Sequence, residues 1–157
     1  MKLSTRREFD AQPEAVFEAL SDFIAFEKLA LRHGADVQRI DHLAVPGLGA
    51  EWVLQFPFRG RSREVKSRIN AYDPPIHLGA EGTSGSFDFT LRTTLEPLRR
   101  DHTRLAVELE VKPRTFAARL MLQTLKLGKS RLDARFATRI ERFVSAMLSR
   151  QKRAQTG

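Results

Sequence analysis

"GAEWVLQFPFRGRSREVKSRINAYDPP", residues 49 to 75, carries its apolar side chains with a period of two on either side of a short turn. Trp52, Leu54, Phe56 and Phe58 alternate with Glu51, Val53 and Gln55. After Gly60, the residues Arg63, Val65, Ser67, Ile69 and Ala71 share one face. Successive side chains of a strand point to opposite sides, so this alternation predicts two strands with one covered face. The tight turn at Gly60 makes them an antiparallel hairpin, and "DPP" at 73–75 ends the second run.

The same period continues toward the C-terminus. Ile76–Thr83 resumes it weakly, "TSGS" (83–86) turns into Phe87, Phe89, Leu91, Thr93 and Leu95, and "LRRD" (98–101) turns into Leu105, Val107, Leu109 and Val111. Short polar turns between consecutive alternating runs predict a meander. Upstream, Leu3, Thr5, Arg7 and Phe9 form one face of a first strand, and Val37–Asp41 is a weak one. Between these two, Pro13 suits the first turn of a helix carrying Val16, Phe17 and Leu20 on one side. Asp22 begins a second short helix through Phe26 to Leu31, which Gly34 stops.

From Thr115 onward the period returns to about 3.6. One straight helix over 115–151 would be about 55 Å long, against a domain about 40 Å across, so a kink or break is expected near Gly128. "KRAQTG" (152–157) is expected to fray. In "RLDARFATRIERFV" (131–144), Leu132, Phe136, Ile140 and Phe143 form an apolar stripe interleaved with Arg131, Arg135, Arg139 and Arg142. The stripe could close over a cavity, lie on an anionic membrane or pair with another helix. A long antiparallel sheet must cover its apolar face, and this helix is the only large element left to do so. The stripe is therefore expected against the sheet, with the arginines toward water. The expectation is an α+β fold: a curved antiparallel sheet of about seven strands wrapped around a long C-terminal helix, with two short helices after the first strand, in a single domain over 1–157.

Composition bounds the function. No apolar run is long enough to span a bilayer, and the N-terminus begins directly on an alternating pattern, which predicts a cytoplasmic protein. There is no cysteine, which excludes disulfides, thiol catalysis and thiolate metal sites. The net charge of +8 is uneven, because residues 112–157 hold 12 Lys and Arg against only Asp133 and Glu141. A basic segment on a nearly neutral body reads first as a solvated helix face, with peripheral contact of the C-terminal helix to an anionic membrane as the alternative. Nucleic acid is disfavoured, because the Phe residues of this segment fall on the apolar stripe and leave no basic surface interleaved with aromatics.

The order of elements, with "AQPEAVFEALSD" (11–22) after the first strand, resembles the START-like superfamily, also called SRPBCC or Bet v 1-like, whose fold is the helix grip. Pro13, Val16, Phe17, Leu20 and Asp22 carry the resemblance in the first helix, and residues 49–75 are similar to the family's central strands. The resemblance covers essentially the whole chain. It implies a hydrophobic cavity between sheet and terminal helix that binds lipids, quinones or polyketide-like molecules. In some members that cavity catalyses cyclisation or dehydration.

Within that expectation, Trp52, Leu54, Phe56, Phe58, Phe87, Phe89 and Leu91 of the sheet, with Phe136 and Ile140 of the helix, are candidate ligand-binding residues. Each also has a plain reading as core. Eleven Phe against one Trp and one Tyr favour an apolar partner over polar recognition. Arg63 and Arg7 fall on the apolar side. There a guanidinium needs a carboxylate or a ligand oxygen, unless it reaches water from a strand end. Ser67 and Thr93 would add hydroxyls beside it.

No cofactor or metal is expected: His33, His42, His77 and His102 are scattered without zinc-motif spacing. "GTSG" and "PGLG" lack phosphate-loop spacing, and no G-x-S-x-G is present. Tyr72–Asp73 or Glu64–Glu108 would serve as an acid/base pair only if they converged. The readings carried forward are a carrier of a small lipophilic molecule, acting as a monomer or homodimer; a cyclase or dehydratase using Arg63; and a membrane- or partner-docking protein using the basic helix.

Overall fold

The computed structural model describes residues 1–156. Strand β1 (Lys2–Phe9) is followed by helices α1 (Pro13–Leu20) and α2 (Phe23–Arg32). Six strands then run in sequence: β2 (Asp36–Arg39), β3 (Glu51–Phe58), β4 (Arg61–Asp73), β5 (His77–Thr83), β6 (Phe87–Arg99) and β7 (His102–Pro113). Helices α3 (Phe116–Lys126) and α4 (Lys129–Thr156) complete the chain. The seven strands form one antiparallel sheet in the order β1-β7-β6-β5-β4-β3-β2, so the meander closes its far edge with the first strand.

Local chemistry explains the boundaries. In the β3–β4 hairpin Phe58 pairs with Arg61, leaving Arg59 (φ 52°) and Gly60 (φ 75°) as a two-residue loop. Positive φ at both positions matches the twist of the flanking strands. Asp22 caps α2 by accepting from the Ala25 amide at 3.0 Å, and Thr115 caps α3 by accepting from Ala118 at 3.1 Å. The break expected near Gly128 falls between Lys126 and Lys129. Helix α4 continues through Thr156, past the expected end near 151, because Gln151, Lys152, Arg153 and Ala154 all favour the helical state. Gly157 lies outside the described residues.

One expected face is corrected. A β-bulge between Ile69 and Ala71 places Ala71 opposite Gly79 and Tyr72 opposite Leu78. The extra residue reverses the alternation, so it is Tyr72, and not Ala71, that continues the helix-facing row. Its ring packs edge-on against Phe17 of α1, with centroids 5.4 Å apart.

The core joins Phe9, Val16, Phe17, Ala50, Trp52, Ile69, Leu78, Leu95, Leu105, Val107 and Val144. Two of its buried hydroxyls are paired with backbone: that of Thr103 donates to the Ala11 carbonyl at 2.7 Å and that of Thr93 to the Leu78 carbonyl at 2.8 Å. Gln151 donates to the Ala15 carbonyl at 3.0 Å, fastening α4 to α1.

Asp41 pins the connection into β3. It receives two hydrogen bonds from Arg39, at 2.7 and 2.8 Å, and accepts the amides of Leu43 and Glu51. The Arg39 bonds first, then these amides, hold its carboxyl well below the usual carboxylate range against the opposing effect of burial. A carboxyl depressed on folding contributes stability that is fully present above its unfolded pKa of about 3.9. That stability is lost as pH falls toward the native-state value. Asp41→Asn should therefore lower Tm at neutral pH and flatten the decline of Tm on acidification below about pH 5. Parallel acid-limb melting curves for the two proteins would contradict this account.

Candidate ligand site

Burial along the helix-facing rows falls toward one end on β3, β4 and β6, and falls less regularly on β7 and α4. On β7, Thr103, Leu105 and Val107 are buried and Leu109 only partly so, although Val111 beyond it is buried again. On β6, Leu95 and Thr93 are buried, while Leu91, Phe89 and Phe87 are half-buried. On β4, Ile69 is buried and Ser67, Val65 and Arg63 are half-buried. On β3 Trp52 is buried, as is Ala50 just before the strand, and Leu54 and Phe56 are half-buried. On α4, Met147 and Val144 are buried, and Ile140, Phe136 and Leu132 half-buried, with the small Ala137 buried between them.

Pairing brings these gradients into line. Phe89 is opposite Gly82 and Val111, Gly82 is opposite Ser67, and Ser67 is opposite Trp52. The Arg7–Glu141 ion pair, at 3.3 Å, sets α4 alongside β1. The sheet and helix thus meet fully around Leu105 and Val144. Toward the β3–β4 hairpin, the β5–β6 turn and the N-terminal half of α4 they leave apolar side chains incompletely covered.

The sequence-predicted residues divide accordingly. Leu54, Phe56, Arg63, Ser67, Phe87, Phe89, Leu91, Phe136 and Ile140 are all half-buried, the first seven on the helix-facing rows of the sheet and the last two on the apolar stripe of α4. Leu54, Leu91, Phe136 and Ile140 also pack on the edge of the core. The rings of Phe87 and Phe89 lie 6.2 Å apart.

Trp52 is instead 2% exposed and taken up by the protein itself. Phe23 and Phe26 of α2 pack on its ring, and its indole N–H donates to Glu27 at 2.8 Å. Alternation assigned its face correctly but carried no information on which helix covers it. Phe58 lies at the hairpin tip, 44% exposed, with the Arg59 guanidinium 5.4 Å from its ring.

Arg7 takes the solvent-reaching alternative, since it is exposed and paired with Glu141. Arg63 differs. It stands opposite Phe56, two residues from Val65, and its Nε is buried without a hydrogen-bond partner. The other buried side-chain atom without a partner among the described residues is Oδ1 of Asp133. The second oxygen of Asp133 accepts from Lys129 at 2.9 Å. Asp133 lies three residues before Phe136 and seven before Ile140, so its place on the apolar stripe was legible from spacing alone.

Of the two acid/base pairs drawn from sequence, Glu64–Glu108 does not form, because Glu64 on β4 and Glu108 on β7 lie three strands apart on the outer face. No three His, Asp or Glu side chains among the described residues converge as a metal-binding group. Three surface depressions, of ≈360, ≈640 and ≈370 Å³, each lie away from α4. The first takes most of its lining from outward-pointing residues such as Lys66, Arg68, Glu81 and Asp88. At the incompletely covered end of the grip, by contrast, half-buried apolar side chains come from both layers.

This architecture is the helix-grip, Bet v 1-like fold. A family model described as "Polyketide cyclase / dehydrase and lipid transport" matches residues 1–147, and the chain belongs to that family. Among solved structures it is similar to the Zhui aromatase/cyclase from a Streptomyces species, at 15% identity and TM-score 0.64, covering 98% of this chain and 94% of that one. It is also similar to a START superfamily protein from Mycobacterium smegmatis, at 19% identity and TM-score 0.56, covering 85% and 95%. A conserved protein from Geobacillus kaustophilus aligns over 96% of both chains, at 15% identity and TM-score 0.65. At these identities the likeness establishes the fold alone. Comparison with curated proteins finds no match. Family and fold point to hydrophobic-ligand binding or polyketide cyclase-type function. No helix among the described residues is long and apolar enough to cross a membrane.

Proposed function

We propose that the chain binds a small lipophilic molecule carrying one oxygen-bearing polar group, at the open end of the grip. The observation that carries this reading is the loss of burial toward that end, to which the half-buried Leu54, Phe56, Phe87, Phe89, Leu91, Phe136 and Ile140 and the unpartnered Nε of Arg63 all belong. Incompletely covered apolar surface is costly in water, and a ligand's hydrocarbon would remove it from solvent. A buried N–H without an acceptor carries a desolvation cost that a ligand carboxylate, phenolate or carbonyl would offset.

Delipidated protein should take up a fatty acid, a quinone or a polyaromatic acid at one molecule per chain, read by native mass spectrometry. Failure to take up any of the three would sink the proposal. A second reading shares the site: Arg63 would hold an enolate or polarise a carbonyl during cyclisation or dehydration. The family description and the free Arg63 donor favour it. It requires turnover that Arg63→Ala abolishes while the fold persists.

A further inference from the structure

Helix α3 has two apolar faces, and only one is used. Ala118 and Leu122 are buried, with Met121 half-buried beside them. At 3.6 residues per turn, Phe116, Leu120 and Leu127, the last being the C-cap residue that keeps helical backbone angles, fall within about 40° of one another on the opposite side. They are 74%, 49% and 89% exposed. Isolated exposed leucines are unremarkable in a folded protein, but three large apolar side chains aligned along one helix form a surface that water covers poorly.

The charge around this face selects its partner. Between Glu110 and Asp133 the chain holds six Lys and Arg and no Asp or Glu. Arg119, Lys126 and Arg131 have no carboxylate within ion-pair distance among the described residues. An apolar stripe flanked by unpaired cations suits the interface of an anionic bilayer, with the stripe among the acyl chains and the cations at the headgroups. A second copy would bring like charges together along the same stripe.

Position supports the assignment. Helix α3 links the end of β7, where Pro113 pairs with Phe87, to the start of α4. It therefore lies at the incompletely covered end of the grip. We propose that the outer face of α3, with Phe116, Leu120 and Leu127 inserted and Arg119 and Lys126 at the headgroups, docks this protein on anionic membranes. The arginine face of α4, the alternative for that contact weighed from sequence, carries no comparable exposed apolar stripe.

The test is flotation of the full chain, without added ligand, on vesicles of phosphatidylcholine alone or with 30% phosphatidylglycerol by design (roughly the anionic fraction that gives a clear surface potential). Wild-type protein should bind the anionic vesicles, weaken as salt rises, and bind the zwitterionic ones at least about tenfold less. The double variant Phe116→Ser, Leu127→Ser should lose about tenfold or more in binding to anionic vesicles while keeping its melting temperature, since both side chains are exposed. Arg135→Ser with Arg139→Ser on α4 should lose much less. Unchanged binding by the α3 variant, or a larger loss from the α4 variant, would overturn the proposal. So would absence of vesicle binding together with a concentration-dependent dimer, seen by sedimentation and removed by the α3 substitutions. Because no ligand is added, these outcomes are independent of whether the grip binds a lipophile.

Discussion

Leu105→Ala should lower the free energy of unfolding by about 2–5 kcal/mol, whereas Phe89→Ala should lower it by only about 1 kcal/mol. Both residues face α4 from neighbouring strands, and phenylalanine is the larger side chain. Size alone would reverse the order. Leu105 is fully buried at the tight end of the grip, so its removal leaves a cavity that the surrounding core can only partly fill. Phe89 is half-buried where covering is already incomplete. Denaturant unfolding at constant m-value would measure both. Equal losses, or a larger loss for Phe89, would mean that the two ends of the grip are equally packed and that no space is set aside for a ligand.

Arg63→Ala should weaken binding of a polyaromatic carboxylate by about 10- to 100-fold, the range expected for losing a charge-assisted hydrogen bond of roughly 1.5–3 kcal/mol. The parent hydrocarbon, lacking the carboxylate, should bind both proteins with nearly equal affinity. Arg63→Lys should restore only part of the difference, because lysine supplies the charge but not a donor at the Nε position. Loss of both ligands together would indicate that Arg63 props the hairpin and does not meet the ligand. Isothermal titration with the two probes separates these cases.

The contrast between Trp52 and Phe89 shows how much of this was legible in the sequence. Alternation correctly put both on the inner face, because a period of two leaves each side chain only two directions. Which element lies above each of them depends on long-range packing. Helix α2 settles over Trp52 through Phe23 and Phe26, and no local pattern marks that meeting. The hairpin, the meander and the break near Gly128 were readable because each depends on local chemistry. The bulge that turns Tyr72 toward Phe17 was not, since one extra residue in a strand leaves no compositional trace. The same distinction applies to charge. The sequence located a basic C-terminal third, but only side-chain exposure separates the exposed α3 stripe from the half-buried stripe of α4.

The most direct test of the central claim is a methyl-resolved NMR titration of the delipidated protein with the polyaromatic carboxylate. The methyl groups of Leu54, Val65, Leu91, Leu109, Leu132 and Ile140 should shift together and saturate at one equivalent. Those of Leu105, Val107 and Val144, at the tight end, should remain nearly unchanged. Shifts confined to the depression around Ile76 and Leu95, or spread evenly over both ends of the grip, would contradict the account.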